Sequence, residues 1–488
     1  MKKLFRILLT ALLFILPAHA LADTRALLVA CSDFVSQPDL GSAVSGNLHM
    51  FGSALLGVSP RLAGLSIEDG TIGTADALSA SIADAFADAD EDDFSLVYLC
   101  THGVVSSDDS QTYLLLSDGE RESAISGAML AEMLSPIQGE KLLIVDACYS
   151  GAILGREPSA VRTPDEAETA NDVSSPFLGD PTVHVLTSAD AHESSWYFDS
   201  TQLSTGAVSY FASALSTGLG LYGVPEADLD GDSLITLAEI HNYLRIALPS
   251  STSQLFSSDA NAIVMPAVKS PLLSRPLYGF SYGESLLDAA DPVFEFSFTV
   301  SSETAVQYRL IDYDAGKWNW EQAKTFLDAG DTPTGTLVPG RKSRALTLTD
   351  VAKSESGYLM LQIFSLQDEQ LTLCAERLIA VQGVSEDASM RVSCAPDYSP
   401  GDAELPISLE LAVPAQVTVS IHSAEGELVR RLAASQLTRP APDKRTRLYW
   451  NGRDAAGYLI QAGEYTVTAE ALVCGARQKA AANVTVVR

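Results

Sequence analysis

The feature that most limits the possible folds is a set of four apolar runs within residues 25–268. The runs RALLVAC, FSLVYLC, KLLIVDAC and TVHVLTSA are apolar at almost every position. A strand needs such continuous apolarity when helices cover both faces of its sheet. Segments with helical patterning lie between and after these runs, at residues 74–88, 126–134, 207–215 and 236–248. The pattern predicts an α/β domain with a mainly parallel sheet flanked by helices.

The C-terminal half of the chain has a different pattern. Beyond residue 270, apolar and polar residues alternate in segments such as FEFSFTV and GYLMLQIF, separated by Gly, Pro and Asp. This two-residue period is typical of β-sandwiches. A polar segment at 384–388 precedes a second block of the same kind. We therefore expect an α/β domain at 23–268 and two β-sandwich Ig-like domains at 269–383 and 384–488.

The N-terminus has the three parts of a bacterial signal peptide. The basic residues Lys2, Lys3 and Arg6 come first, residues 7–17 form an apolar run, and small residues stand at Ala20 and Ala22. This arrangement predicts cleavage after Ala22 and export to the periplasm or the medium. Because the rest of the chain holds no other run of about 18 apolar residues, we expect no membrane span.

The charge balance limits the possible partners. The chain holds 62 acidic and 31 basic residues, for a net charge of −31. A protein this acidic repels phosphate backbones, which argues against binding to nucleic acid.

Two residues with reactive side chains follow two of the apolar runs. His102 comes two residues after FSLVYLC, and Cys148 ends KLLIVDAC. The carboxyl ends of parallel strands form one edge of a sheet, where α/β proteins build their sites. A thiol with a pKa near 8.5 becomes a useful nucleophile at neutral pH when an imidazole accepts its proton. The two positions predict a dyad in which Cys148 is the nucleophile and His102 the acid–base.

These motifs resemble those of a known family. CTHG at 100–103, DACYSG at 146–151 and the 46 residues between His102 and Cys148 are similar to the caspase and metacaspase superfamily of cysteine peptidases, as are RALLVACSDF and TSADAHESSW. The resemblance implies protein or peptide substrates. It also implies an oxyanion hole formed by the backbone N–H groups of Gly103 and Cys148.

The C-terminal block carries a second resemblance. WNG at 450–452, Gly457 and AGEY at 462–465 resemble the Ig-like domain of flagellar hook-capping proteins. This resemblance concerns the fold and assigns no activity. We expect the Ig-like domains to bind a partner or a component of the cell envelope.

The residue two positions before the nucleophile bears on specificity. It is Asp146, where caspases carry Gln and metacaspases carry Asp. The resemblance implies an acidic pocket and cleavage after Arg or Lys, with Asp33 and Asp190 as further candidates for that pocket. In the alternative interpretation, Asp146 caps a turn or positions the loop.

An acidic segment follows the candidate site residues. DLDGDSLITLAE places side-chain oxygens at Asp228, Asp230, Asp232, Thr236 and Glu239, at the spacing of a calcium loop. The alternative is a capped turn in which Thr236 and Glu239 form a helix capping box. The Cys–His chemistry itself needs no cofactor, so calcium is the one cofactor that the sequence indicates. Zinc is not indicated, because no Cys or His residues show CxxC or HExxH spacing.

Other interpretations stay open. The same sequence fits a catalytically inactive caspase-like scaffold, or a transpeptidase or maturation enzyme that uses the same dyad. The polar segment 156–176 predicts a surface loop, and its basic residues Arg156 and Arg162 are candidate sites of self-cleavage. Cys374, Cys394 and Cys474 allow at most one disulfide among them, and the sequence does not choose the pair.

Overall fold

The structure is a computed structural model. It describes residues 23–58, 62–107, 111–155, 175–198, 208–222, 225–248, 251–266, 276–288, 292–312, 325–327, 336–348, 358–367, 370–382, 389–400, 404–412, 415–438, 445–473 and 476–487. The predictions for the signal peptide, for Arg156 and Arg162, and for Cys474 lie outside the described residues.

The N-terminal part contains five α-helices and thirteen short strands among its described residues. The helices are α1 (Ser42–Val58), α2 (Ala75–Ala85), α3 (Gly127–Leu134), α4 (Tyr210–Gly218) and α5 (Leu237–Ala247). The strands are β1 (Thr24–Ala30), β2 (Leu62–Asp69), β3 (Phe94–Cys100), β4 (His102–Val105), β5 (Thr112–Ser117), β6 (Glu122–Ile125), β7 (Glu140–Asp146), β8 (Val183–Thr187), β9 (Tyr197–Phe198), β10 (Val208–Ser209), β11 (Leu234–Thr236), β12 (Gln254–Phe256) and β13 (Ile263–Pro266).

A six-stranded sheet in the order β2-β1-β3-β7-β8-β12 forms the centre of this part. Every neighbouring pair is parallel except β8 and β12. The four apolar runs form β1, β3, β7 and β8, as predicted. Alternate residues of β1 face opposite sides of the sheet. Leu28 packs in a core with helices α1, α4 and α5. Leu27 packs in a second core with helices α2 and α3. Helices therefore cover both faces, which explains why these strands are apolar throughout.

Two elements of the sheet region were not predicted from the sequence. Strand β2 lies at the sheet edge, and none of its side chains is fully buried, so it lacks an apolar run. Helix α1 contains two glycines and three serines or asparagines among its first eleven residues, which lowers its helix propensity. Tertiary packing stabilises it, since Leu48 and Phe51 are buried in the core.

The strand order places the site. From β1 the chain moves outward to β2, then crosses to β3, β7 and β8 on the other side. This reversal makes the carboxyl ends of β1 and β3 a topological switch point, where open α/β sheets bind ligands. The loops that follow β1, β3, β7 and β8 all lie at this edge.

The C-terminal half is built from β-strands. They are β14 (Leu277–Tyr282), β15 (Leu286–Asp288), β16 (Val293–Val300), β17 (Thr304–Asp312), β18 (Thr325–Leu327), β19 (Thr336–Leu337), β20 (Gly340–Thr347), β21 (Tyr358–Gln367), β22 (Gln370–Gln382), β23 (Met390–Cys394), β24 (Asp397–Tyr398), β25 (Leu405–Leu411), β26 (Ala415–Ser423), β27 (Leu428–Thr438), β28 (Arg445–Trp450), β29 (Gly463–Val473) and β30 (Ala476–Val486). The middle block has the sheets β14-β16-β20 and β15-β22-β21-β17-β18, in which β19 also pairs with β17. The last block has the sheets β23-β25-β28 and β24-β30-β29-β26-β27. Two mostly antiparallel sheets in each block agree with the expected β-sandwich pattern, and the Ig-like type of the middle block stays a prediction.

Both C-terminal blocks contact helices of the α/β part. Asn242 on α5 donates to the Tyr449 carbonyl at 3.1 Å and accepts from the Tyr449 N–H at 2.9 Å. In the middle block, the buried Glu376 carboxylate accepts from the Tyr222 hydroxyl at 3.3 Å and from the Ser213 hydroxyl at 3.4 Å. These contacts join β-strands of both blocks to the helices that cover one face of the sheet. Among the described residues, no helix is long and apolar enough to cross a membrane.

Candidate active site

The structure brings the segments of His102 and Cys148 into contact. Strands β3 and β7 are parallel neighbours, with Cys100 opposite Asp146, and the N–H of Thr101 donates to the Asp146 carbonyl at 3.2 Å. A Cβ on Gly103 would lie 1.7 Å from the Cys148 carbonyl oxygen. Only glycine permits this approach. The two motifs therefore meet at the carboxyl edge of the sheet, as their positions in the sequence predict.

The His102 ring is held by the loop that follows β1, residues 32–40, which we call the β1 loop. Its Nε2 lies 2.8 Å from the Pro38 carbonyl oxygen. The Phe34 ring packs against the imidazole with a centroid distance of 4.5 Å. Since a carbonyl oxygen can only accept, Nε2 carries the hydrogen, and the lone pair of a neutral imidazole is then at Nδ1.

Cys148 lies in a sharp turn between β7 and a short 3₁₀ helix at Ser150–Leu154. Tyr149 has a φ of 59°, which is uncommon for a residue with a side chain. The Tyr149 N–H donates to the Glu193 carbonyl at 2.7 Å, and the Gly151 N–H donates to the Ala189 carbonyl at 2.9 Å. The loop after β8 therefore fixes the turn that carries the thiol.

The thiol of Cys148 is half-buried and donates to the Ser195 carbonyl at 3.7 Å. Burial raises the pKa of this thiol, although hydrogen bonds from neighbouring groups act in the opposite direction. A raised pKa keeps the sulfur protonated at neutral pH, so attack on a substrate requires a group that takes its proton.

Asp146 is buried beneath the nucleophile at 3% exposure. Its carboxylate accepts hydrogen bonds from Tyr98 at 3.0 Å, from Asn47 at 3.3 Å, from Ser195 at 2.8 Å and from the Ser209 hydroxyl. Each of these four donors is neutral. Burial raises the pKa of Asp146 despite these hydrogen bonds. Ser195 links this carboxylate to the nucleophile, because its carbonyl accepts from Cys148 while its hydroxyl donates to Asp146.

The other two candidate pocket residues lie in loops at the same sheet edge. Asp33 is in the β1 loop, where its exposed carboxylate accepts from the Ser32 hydroxyl at 2.8 Å. Asp190 is in the loop after β8, where its carboxylate accepts from the Ala191 N–H. Their role in a pocket stays a prediction.

The acidic segment forms a compact turn before α5. Ligand oxygens of Asp228, Asp230 and Asp232 lie within 4.8 Å of one another. Burial, with the charge of Asp232, raises the pKa of both Asp228 and Asp230. The predicted capping box is present as well, because Thr236 and Glu239 bond reciprocally at the start of α5. Burial raises the pKa of Glu239 to about 7. The three aspartates thus form a group that fits a cation, while Glu239 is engaged at the helix terminus.

Comparison with known families decides the class of the protein. The family model of the caspase domain matches residues 26–278, more than half of the chain. The chain belongs to the caspase family. The FlgD Ig-like domain matches residues 395–473 of this caspase-family protein, which confirms the resemblance of the C-terminal block. The match to the caspase domain supports a cysteine peptidase.

Three solved structures that match this caspase-family chain show only weak likeness to it. Dimeric latent PorU from Porphyromonas gingivalis is 11% identical, with a TM-score of 0.18, over 49% of this chain and 22% of PorU. A 1.5-MDa bacterial ice-binding adhesin is 14% identical, with a TM-score of 0.16, over 43% of this chain and 65% of the adhesin chain. A mutant of Salmonella alpha-2-macroglobulin is 11% identical, with a TM-score of 0.16, over 49% of this chain and 17% of the other. TM-scores this low do not establish a shared fold. No curated protein matches the chain.

Sequence reasoning missed several residues that contact the site of this caspase-family chain, and three of them show the reasons. Pro38 contributes a backbone carbonyl, which has no side-chain signature in the sequence. Asn47 lies on the unpredicted helix α1 and donates to Asp146. Ser195 stands in TSADAHESSW, one of the motifs similar to the caspase and metacaspase superfamily, so the sequence does carry a signal at its position.

Proposed function

We propose that this caspase-family chain is an exported cysteine endopeptidase that cleaves peptide bonds after Arg or Lys. Cys148 acts as the nucleophile and His102 as the acid–base. The observation that carries the proposal is the contact of Gly103 with the Cys148 backbone, combined with the hydrogen bond from His102 to Pro38. Together they set the histidine segment against the nucleophile and leave Nδ1 as the basic nitrogen.

The catalytic cycle then needs four proton transfers at one nitrogen. His102 Nδ1 accepts the thiol proton, and the Cys148 thiolate attacks the scissile carbonyl carbon. The N–H groups of Gly103 and Cys148 stabilise the oxyanion. Nδ1 gives its proton to the leaving amine, which leaves a thioester on Cys148. Nδ1 then takes a proton from a water molecule, whose oxygen attacks the thioester carbon. The C–S bond breaks, the acid leaves, and Nδ1 returns its proton to the Cys148 sulfur.

The surroundings of Asp146 support a preference for basic residues. The carboxylate is buried among neutral donors, so hydrogen bonds alone compensate its desolvation. An arriving guanidinium or ammonium group would add the missing counter-charge. The net charge of −31 also attracts positively charged substrates and so favours the same preference.

A covalent probe tests the proposal directly. An acyloxymethyl ketone that carries Arg should label the wild-type protein on Cys148 and should leave Cys148→Ala unlabelled. The same probe with Asp in place of Arg should label far more slowly. An inactive scaffold would show no labelling of Cys148 by either probe, and a transpeptidase would join added amines to the cleaved peptide.

We further propose that calcium binds at Asp228, Asp230, Asp232 and Glu239 and promotes self-cleavage after Arg156 or Arg162. Burial, with the charge of Asp232, raises the pKa of Asp228 and Asp230, and a bound cation would stabilise both carboxylates in their charged form. At a hundredfold excess over the dissociation constant, calcium should raise the melting temperature by about 5 °C. Asp228→Ala should lose this shift. Asp84→Ala, an exposed carboxylate on α2, should keep it.

Mass spectrometry of the same samples tests self-cleavage. Wild type in calcium should give a chain that starts at Asp23 and fragments that end at Arg156 or Arg162, whereas Cys148→Ala should stay uncut. A wild-type chain that stays intact and fully active in chelator would reject both calcium control and self-cleavage.

A further inference from the structure

We infer that Glu122 is a positioning residue for the catalytic histidine, acting through the β1 loop. The inference rests on the proposed function and extends it to a residue in no recognised motif. Strands β4, β5 and β6 form a small three-stranded sheet. His102 is the first residue of β4, and Glu122 is the first residue of β6. The strand that carries the histidine and the strand that carries Glu122 both pair with β5.

The carboxylate of Glu122 holds the middle of the β1 loop. It accepts hydrogen bonds from the Val35 N–H at 2.9 Å, from the Ser36 N–H at 3.1 Å and from the Ser36 hydroxyl. Val35 and Ser36 lie between the two loop residues that contact the imidazole. Phe34 packs against the ring, and Pro38 accepts its Nε2–H. Glu122 therefore fixes the segment that sets the orientation of His102.

The remaining anchors of the loop join its two sides, and one of them is the Phe34 N–H, which donates to the Asp39 carboxylate at 2.9 Å. The Leu40 N–H donates to the Ser32 carbonyl at 2.9 Å, and the Ser117 hydroxyl donates to the Asp33 carbonyl at 2.6 Å. Residues 35–39 are exposed to solvent, and the Val35 side chain is 62% exposed. Apolar packing at the middle of the loop is therefore slight, and its position depends on hydrogen bonds.

The electrostatics agree with this geometry. Burial opposes ionisation of Glu122, but the hydrogen bonds from Ser36 and Val35, with a smaller effect of the His102 charge, hold its pKa below the ordinary value. Glu122 is therefore an anion throughout the pH range in which a cysteine peptidase works, and it accepts all three hydrogen bonds there. Its charge also favours the imidazolium that forms after proton transfer.

The test compares Glu122→Ala and Glu122→Gln with Glu120→Ala. Glu120 is an exposed glutamate in the same β5–β6 turn, so its replacement removes an equal charge without touching the loop. Glu122→Ala should lower kcat by about 10- to 100-fold with little change in KM, because a shift of about 1 Å in a catalytic group costs that much. Glu122→Gln keeps an oxygen acceptor for the two N–H groups and should recover most of the rate. Glu120→Ala should behave as wild type.

Alkylation of Cys148 by iodoacetamide supplies a readout that a folding defect would not reproduce. The reaction is followed by mass spectrometry of the peptide that contains Cys148. Between pH 6 and 8, Glu122→Ala should react more slowly than wild type, because a displaced imidazole no longer favours the thiolate. As the pH rises past the pKa of the thiol, which burial places above its ordinary value, the two rates should converge.

The outcomes separate this inference from the proposed function. Wild-type kcat and a wild-type alkylation profile in Glu122→Ala would overturn the inference while the peptidase stands. An equal loss at every pH, or a loss in Glu122→Gln as large as in Glu122→Ala, would also overturn it. If the wild type cleaved no peptide, the proposed function would fail, and the alkylation profiles would still decide whether Glu122 positions His102 beside Cys148.

Discussion

Replacing Cys148 with alanine should lower kcat/KM for an Arg-containing peptide by at least about 10⁴-fold, because no other group can form the thioester. His102→Ala should cost a similar factor, since the thiol would keep a proton that burial already favours. The two effects should not add in the double variant, because the residues act as one unit.

A matched control distinguishes the dyad from general damage. Cys394→Ala removes a half-buried cysteine of the C-terminal block and should leave kcat/KM unchanged. Melting temperatures of Cys148→Ala and His102→Ala should stay close to that of wild type, because both side chains are only partly buried. Full activity in either variant would refute the assignment of the dyad.

Asp146→Asn should abolish the preference for Arg over Asp at the cleaved position. A charge-assisted contact between a carboxylate and a guanidinium contributes about 1.5 to 3 kcal/mol, which corresponds to roughly ten- to hundredfold discrimination. The asparagine has nearly the same shape and keeps one oxygen acceptor, so the Ser195 and Ser209 hydroxyls can rotate to bond its amide. The variant should therefore keep its fold and lose its selectivity.

The measurement is kcat/KM for paired peptides that differ only in Arg, Lys or Asp at the cleaved position. Asp84→Asn provides the control, since Asp84 is an exposed carboxylate on α2 and should leave selectivity unchanged. Equal cleavage after Arg and Asp by the wild-type enzyme would rule out an acidic specificity pocket. Unchanged selectivity in Asp146→Asn would show that Asp146 does not recognise the basic side chain of the substrate.

The sequence alone determined which strands build the site and at which edge of the sheet its residues lie. Continuous apolar runs are stable only in a sheet buried on both faces, and parallel strands end at one edge. Residues that directly follow β3 and β7 therefore had to lie at that edge, and the contact of Gly103 with Cys148 has this origin. The capping box of Thr236 and Glu239 was also predictable, because all its partners are within four residues.

Only the tertiary structure decided which groups surround the two reactive side chains. Pro38 meets His102 from 64 residues away, Glu122 meets Val35 from 87 and Asn47 meets Asp146 from 99. Two of these three contacts use a backbone group, which every residue possesses and no pattern marks. The docking of Tyr449 on Asn242 likewise joins residues 207 apart through the backbone of β28. Hydrophobic periodicity records which face of an element is buried, whereas the partner of a backbone N–H or carbonyl depends on how the folded elements pack.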